Sequence, residues 1–158
     1  MTCKHVVEGA IRFTFRTPTR VWSGGAIQWT SPGRVDWGSQ AADCALVRFV
    51  SPDRPRLLPL ARVHPGAFSS GWTAGFPNGL RKLHVTPVLF QVHPRRIDAQ
   101  AAPGASGSPV LNAQGEVVGL VSMVWRPVIV NGWGQRVGHA QWSWIIELST
   151  IQLALEQL

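Results

Sequence analysis

Residues 104–122 read GASGSPVLNAQGEVVGLVS. Within this stretch, two runs rich in apolar and β-branched residues, 108–111 and 116–122, flank the turn-forming residues 112–115. Four turn formers between two such runs are typical of a β-hairpin. We therefore predict an antiparallel strand pair that begins directly after a segment of small residues.

The rest of the chain reads as short strands separated by turns, with one helix at its end. Near the C-terminus, Ser149 and Gln152 have the spacing of a capping box. Ile151, Leu155 and Leu158 fall on one face of that helix. Further strand-like runs occur at residues 11–15, 26–30, 44–50, 71–76 and 85–90. The pattern predicts an all-β class with a C-terminal helix.

Length and composition limit the function classes. The 158 residues fit one domain. Hydrophobic residues make up 45% of the chain and charged residues 15%, a composition that argues against disorder. The composition excludes a coiled coil, a collagen, a repeat solenoid and a disulfide-stapled miniprotein. No apolar stretch approaches the roughly 18 residues of a membrane helix, so we expect no membrane partner.

The net charge of +7 comes from 15 Lys and Arg against 8 Asp and Glu. Such a balance attracts polyanions, but the basic residues are dispersed, and only Arg81 with Lys82 and Arg95 with Arg96 are adjacent. No basic run is interleaved with aromatic residues, as a stacking platform would require. The sequence does not favour nucleic acid as a partner.

The two cysteines, Cys3 and Cys44, are too few to form a disulfide framework. Nothing at the N-terminus resembles a signal peptide, so the simplest compartment is a reducing cytoplasm with both thiols free. A bridge between Cys3 and Cys44 is the alternative, because both residues flank the site proposed below.

Three side chains suggest nucleophilic catalysis. The small residues around Ser106 would let a substrate carbonyl and backbone N–H groups approach a serine hydroxyl closely. Such a hydroxyl needs a histidine to take its proton and a carboxylate to orient that histidine. His5 ends a strand-like run, and Asp43 leads an apolar strand, where its burial would cost free energy without a hydrogen-bonding partner. Taken singly, such residues more often have ordinary roles: a histidine like His5 on the surface, an aspartate like Asp43 in a turn, and a serine like Ser106 in a loop.

Taken together and in this order, residues 2–7 (TCKHVV), 43–47 (DCALV) and 104–110 (GASGSPV) resemble the motifs of the trypsin/chymotrypsin-like serine proteases. Residues 119–122 (GLVS) resemble the strand that lines the specificity pocket of that family. Residues 75–79 (GFPNG) are similar to a segment of the bacterial high-temperature-requirement proteases. The resemblance spans nearly the whole chain.

The resemblance implies a fold of two six-stranded antiparallel β-barrels with the active site between them. The first barrel would occupy residues 1–60 and lack its N-terminal hairpin. The second would occupy residues 61–148, and the C-terminal helix residues 149–158.

The resemblance also implies the site and its chemistry. The expected function is a serine endopeptidase with Ser106 as nucleophile, His5 as general base and Asp43 as its orienter. The N–H groups of Gly104 and Ser106 would form the oxyanion hole, and Ser122 would support Asp43. No cofactor is implied. His64, His84, His93 and His139 show no metal-binding spacing, so we also expect no catalytic metal.

Departures from the family pattern shape the expected specificity. Ala105 replaces the acid that in digestive members pairs with a newly cut N-terminus, so a zymogen switch is not expected. Met123 and Val124 stand where trypsin-like enzymes have an aromatic residue and a glycine, which predicts a narrower channel. Gln100 falls at the base of the specificity pocket and predicts a small or medium uncharged residue before the cut. Ser108 is a rival nucleophile, but the matched pattern favours Ser106.

We expect a protein or peptide substrate as the partner. Related bacterial domains are often attached to sensory or effector modules, so further domains or subunits are a second kind of expected partner. The alternative function is a catalytically silent binding module that keeps the fold and uses its basic surface.

Overall fold

Strands dominate the structure. The computed structural model describes residues 1–16, 21–32, 43–50, 57–99, 101–125, 128–139 and 142–157. The helices are α1 (Lys4–Val7) and α2 (Leu148–Leu155), and a 3-10 turn spans Pro77–Gly79. The strands within these ranges are β1 (Thr14–Arg16), β2 (Val21–Ser23), β3 (Ala26–Thr30), β4 (Ala45–Arg48), β5 (Ser70–Gly75), β6 (His84–Phe90), β7 (Arg96–Asp98), β8 (Pro109–Asn112), β9 (Val117–Trp125), β10 (Val128–Val130), β11 (Arg136–His139) and β12 (Trp142–Glu147).

Six strands of the second half close into a barrel. Its order is β12-β7-β6-β5-β8-β9, and every neighbouring pair for which a register is seen is antiparallel. In the first half, the described residues form two antiparallel pairs, β1 with β2 and β3 with β4. The mostly-β class, the antiparallel barrel and the C-terminal helix are confirmed. Of the first predicted barrel, these two strand pairs are what the structure describes.

Side chains alternate between buried and exposed along the strands, and the buried ones fill the interior of the barrel. In β6, Val88 and Phe90 are buried while Leu89 between them is exposed, which is the period of two expected of a strand with one face inside. The predicted turn at residues 112–115 is confirmed as well. The side-chain carbonyl of Asn112 accepts hydrogen bonds from the N–H groups of Gln114 and Glu116 at 3.0 and 2.9 Å. This turn fixes β9 beside β8.

A second apolar cluster joins the N-terminal segment, β4 and α2 to the outside of the barrel. It includes Cys3, Cys44, Leu46 and Ile151, which pack with residues of β9 and β12. Cys3 lies two residues from His5 and Cys44 follows Asp43 directly, so the cluster anchors the two segments that carry those side chains.

The two ends of the chain differ from the sequence-based expectations. His5 lies in α1 rather than at the end of a strand.

The helix α2 begins one residue earlier than predicted. Its N-cap is Glu147, which makes no side-chain hydrogen bond, so the predicted capping box at Ser149 is wrong. Its buried residues are Leu148, Ile151 and Ala154, while Leu155 is exposed and Leu158 lies outside the described residues. Packing against the β9 and β12 residues, and not the local capping signal, sets the start of this helix.

None of the helices in the described ranges is long and apolar enough to cross a bilayer.

Candidate active site

His5 and Asp43 meet although 38 residues separate them in the chain. The Nδ1 atom of His5 lies 2.9 Å from Oδ2 and 3.0 Å from Oδ1 of Asp43. The backbone N–H of His5 also donates to Oδ1, at 3.0 Å. The docking of residues 2–4 along β4 produces this contact, since the backbone N–H groups of Thr2 and Lys4 donate to the carbonyls of Ala45 and Asp43.

The carboxylate fixes the tautomer of the imidazole. Burial would raise the pKa of Asp43, but hydrogen bonds from His5 and Ser122 outweigh it and hold the pKa below its usual value. An ionised carboxylate can only accept hydrogen bonds, so Nδ1 of His5 carries the proton. The other ring nitrogen, Nε2, is left with the lone pair that a general base needs.

Ser122 stabilises the buried carboxylate from the opposite side. Its hydroxyl donates to Oδ2 of Asp43 at 2.5 Å, and both residues are buried. Only 1% of Asp43 is exposed, so the hydrogen bonds from His5 and Ser122 replace the water that this carboxylate lost. The sequence-based expectation that Ser122 supports Asp43 agrees with this contact.

Ser106 faces the same groove as His5. The groove has a volume of about 200 Å³ and is lined by His5, Ala102, Pro103, Ser106, Val121, Ser122, Met123 and Val124. The hydroxyl of Ser106 donates to the backbone carbonyl of Ser122 at 3.0 Å. The two serines therefore connect the groove to the buried carboxylate, with the nucleophile candidate at one end and Asp43 at the other.

Ser108, the rival nucleophile, is placed differently. It is buried, and a Cβ built on Gly75 would lie 2.0 Å from its hydroxyl oxygen. The hydroxyl thus packs against the backbone of β5, and Ser108 is not among the residues that line the groove. The geometry favours Ser106 over Ser108.

The turn before Ser106 is held by the loop at residues 76–79. The carbonyl of Pro103 accepts a hydrogen bond from the backbone N–H of Asn78 at 2.6 Å. Gly104 has φ +87°, and a Cβ there would lie 3.3 Å from that same Asn78 nitrogen. Glycine at position 104 therefore permits both the left-handed backbone and the close approach of the loop.

Sequence reasoning missed the part that Asn78 plays. Asn78 itself has φ +55°, a conformation that asparagine tolerates better than most residues. Residues 75–79 (GFPNG) combine glycine, proline and asparagine, so the sequence does signal a sharp turn here. Which segment that turn would touch was not visible in the sequence.

The residues expected to bind substrate are placed as follows. Met123 and Val124 line the groove with partly buried side chains. Ser122 directs its side chain to Asp43, so it can offer a substrate only its backbone. Gln100 lies outside the described residues.

A metal ligand set would have to use the same side chains. Among the residues that the structure describes, Cys3, His5 and Asp43 form the one group whose ligand atoms all lie within 4.8 Å of one another. Burial, followed by the charge of Asp43, raises the pKa of the Cys3 thiol, whose hydrogen is donated to the carbonyl of Val121 at 3.1 Å. A metal ion at this position would have to displace these hydrogen bonds.

Comparison with known proteins gives a family for most of the chain. Residues 1–120 match the family described as Trypsin-like peptidase domain. This match includes the positions of His5, Asp43 and Ser106. No curated protein sequence matches the chain.

Solved structures with the same fold include two of Rv3671c and one of AlgW. The Rv3671c protease in its inactive form is 18% identical, with a TM-score of 0.70, and the match covers 99% of this chain and 77% of that one. A mutant of Rv3671c from M. tuberculosis H37Rv, also inactive, is 17% identical, with a TM-score of 0.67 and coverage of 99% and 74%. The HtrA-type protease AlgW with a decapeptide is 18% identical, with a TM-score of 0.69, and this chain covers 47% of its length. At these identities the likeness shows the fold.

We expect Ser122→Ala to lower stability at neutral pH and to weaken the dependence of stability on acid pH. The substitution removes a hydrogen bond that lowers the pKa of Asp43, so the carboxyl group takes up a proton at a higher pH. A depressed pKa gives stability that is present above the unfolded value and lost as pH falls through the folded one. Urea unfolding from about pH 7 to about pH 3 should therefore show a smaller loss of stability in the variant, so that its curve converges with that of the unaltered protein as the pH falls. At neutral pH we expect a cost of about 1–3 kcal/mol.

The matched control is Ser143→Ala, since Ser143 is equally buried and its hydroxyl has no hydrogen-bond partner among the described residues. This control should keep the pH dependence of the unaltered protein. A Ser122→Ala curve parallel to that of the unaltered protein would contradict the role given to this hydrogen bond.

Proposed function

The chain belongs to the trypsin-like peptidase family of serine endopeptidases, and we propose that it cleaves peptide bonds through Ser106, His5 and Asp43. The observation that carries this proposal is the continuous set of contacts from His5 through Asp43 and Ser122 to Ser106. These four side chains come from three distant segments of the sequence. A purely structural role for any one of them would not require the other three beside it.

The proposed reaction is acyl transfer. The hydroxyl of Ser106 leaves the carbonyl of Ser122 and turns to His5, whose Nε2 takes its proton as the oxygen attacks a substrate carbonyl. The imidazolium then protonates the leaving amine, and the acyl group remains on Ser106. Water, activated by His5 in the same way, releases the acid and restores the hydroxyl. Asp43 stays ionised throughout and stabilises the charged imidazole.

The backbone around Gly104 supports an oxyanion hole. In a trans peptide the carbonyl and the following N–H point in opposite directions. Because the carbonyl of Pro103 points to Asn78, the N–H of Gly104 points away from the loop at residues 76–79. No described backbone carbonyl accepts a hydrogen bond from the N–H of Gly104 or Ser106. We propose that these two N–H groups stabilise the negative oxygen of the tetrahedral intermediate.

The proposed substrate is an extended peptide. Among the described strands, β9 pairs with β8 only from Val117 to Leu120, while β12 pairs with it as far as Trp125. Val121 still exchanges backbone hydrogen bonds with Gly107 and Ser108, and the carbonyl of Ser122 accepts the hydroxyl of Ser106. The edge of β9 beyond Ser122 can therefore accept an added strand beside the groove. The AlgW structure, which contains a decapeptide, supports the same class of ligand for this fold.

Covalent labelling tests the proposed nucleophile directly. A fluorophosphonate probe should label the unaltered protein and Ser108→Ala, but not Ser106→Ala. Peptide mass mapping identifies the labelled residue. In a separate kinetic measurement, His5→Ala should lower kcat on a peptide substrate by a factor on the order of 10⁴–10⁶. Folded protein that is never labelled would overturn the proposal and favour the silent binding module, whereas labelling of Ser108 would overturn the assignment alone.

The oxyanion hole predicts a kinetic effect at Gly104. We expect Gly104→Ala to lower kcat by about 10²–10³ with a much smaller change in KM, because a displaced N–H weakens only the transition state. Gly115→Ala is the matched control, since Gly115 has φ +79° and open space around its Cβ position. It introduces the same backbone strain in the distant hairpin. Equal kcat losses in both variants would show that strain, and not the oxyanion hole, explains the effect.

We further propose that the residue before the cut is small or medium-sized and uncharged. The described residues that line the groove include no carboxylate, and Val124 packs against the barrel core at its wall. A peptide library varied at this position should give the highest kcat/KM for uncharged residues, and Val124→Gly should admit larger ones. Strong selection of Arg or Lys would contradict this proposal.

A further inference from the structure

Cys3 and Cys44 lie directly opposite each other on neighbouring backbone segments. Thr2 and Ala45 exchange two backbone hydrogen bonds, at 3.0 and 2.9 Å, and the N–H of Lys4 donates to the carbonyl of Asp43 at 3.2 Å. In antiparallel pairing, the residues between two such hydrogen-bonded pairs form a non-hydrogen-bonded pair with Cα atoms about 4.5 Å apart. Cys3 and Cys44 occupy this position, and their side chains share one face.

The two thiols also belong to one environment. Both are free, both have no exposed surface, and both belong to the apolar cluster that packs under α2. The mechanism proposed above uses neither of them. Yet Cys3 is two residues from His5, and Cys44 follows Asp43 directly, so a bond between them would join the two segments that carry the acid–base pair.

We propose that Cys3 and Cys44 are a site of covalent modification, where an intramolecular disulfide forms under oxidising conditions and tethers the His5 segment to the Asp43 strand. Disulfides bridge Cα atoms about 4.4–6.8 Å apart, a range that includes the roughly 4.5 Å typical of a non-hydrogen-bonded antiparallel pair. The regulatory meaning of the tether rests on the proposed function, because it concerns the same histidine and aspartate.

The oxidant is a low-molecular-weight disulfide such as oxidised glutathione. One cysteine, as thiolate, attacks a sulfur of this molecule and releases one reduced thiol, which leaves a mixed disulfide. The other cysteine, having lost its proton, attacks the protein sulfur of that intermediate and releases the second reduced thiol. Two electrons and two protons leave the protein, and one S–S bond replaces two S–H bonds.

The folded state protects the pair from rapid oxidation. Burial raises the pKa of Cys3, and burial raises the pKa of Cys44 to about 11, so little thiolate is present near neutral pH. We therefore expect the mixed disulfide to form quickly while residues 1–7 are undocked from β4 and slowly once they are docked, and the internal bond to close as the segment docks. Mild denaturant should accelerate the reaction of the folded protein.

Forming the disulfide breaks one hydrogen bond of Cys3 and holds the His5 segment against Asp43. The sulfur of Cys3 gives up the hydrogen bond to the carbonyl of Val121. In exchange, the segment that carries His5 can no longer separate from Asp43. The oxidised protein should therefore keep its acid–base pair under conditions that detach this segment in the reduced protein.

The test is refolding of the full chain in a glutathione redox buffer, followed by intact-mass measurement and thermal unfolding. We expect a mass lower by two hydrogen atoms, loss of both free thiols, and a rise in Tm of roughly 5–15 °C over the reduced protein. Cys3→Ala and Cys44→Ala are the controls. Each should show the same Tm with and without the oxidant, because neither can form the bridge.

The outcomes separate this proposal from the proposed function. Two free thiols that persist after oxidative refolding, bridges only between molecules, or an internal bridge with unchanged Tm would overturn it, whatever the protease assays show. If the mass and Tm change as expected but Ser106 is never labelled, the modification stands and the peptidase function fails. If both hold, the oxidised protein should retain activity at urea concentrations that inactivate the reduced protein.

Discussion

The buried carboxylate of Asp43 is the constraint on which the site depends. A charge with 1% exposure is stable only when hydrogen bonds replace its lost water, and here they come from His5 and Ser122. The same bonds that compensate the burial also orient the imidazole and select its tautomer. Folding and the orientation of the imidazole are thus one event, because the loss of either partner would leave the buried charge of Asp43 uncompensated.

Ser122 links three parts of the site through different atoms. Its hydroxyl binds Asp43, its carbonyl accepts the hydrogen of Ser106, and its strand, β9, continues along the groove. Its position on the rigid barrel explains how one residue can serve all three. Strand β9 is paired along its length with β12, so Ser122 is held by the sheet and offers a fixed carbonyl to Ser106 in the turn before β8.

Much of this arrangement could be predicted from the sequence, because it depends on local patterns. Alternating residues predicted most strands of the barrel, small residues marked Ser106, and an acid at the start of an apolar strand marked Asp43. The errors and omissions have a common physical cause, which is contact between distant segments. The α1 helix at His5, the start of α2, and the hydrogen bond from Asn78 to Pro103 all depend on partners that are far away in the chain. Local propensity carries no information about such partners.

The helix α2 has a consequence that reaches beyond its own stability. Ile151 and Ala154 pack in the same cluster as Cys3 and Cys44, which flank the acid–base pair. The apolar packing under this last helix therefore supports the two segments that carry His5 and Asp43. A substitution that loosened this packing would also loosen the contact between the imidazole and the carboxylate, although the helix lies far from both residues in the sequence.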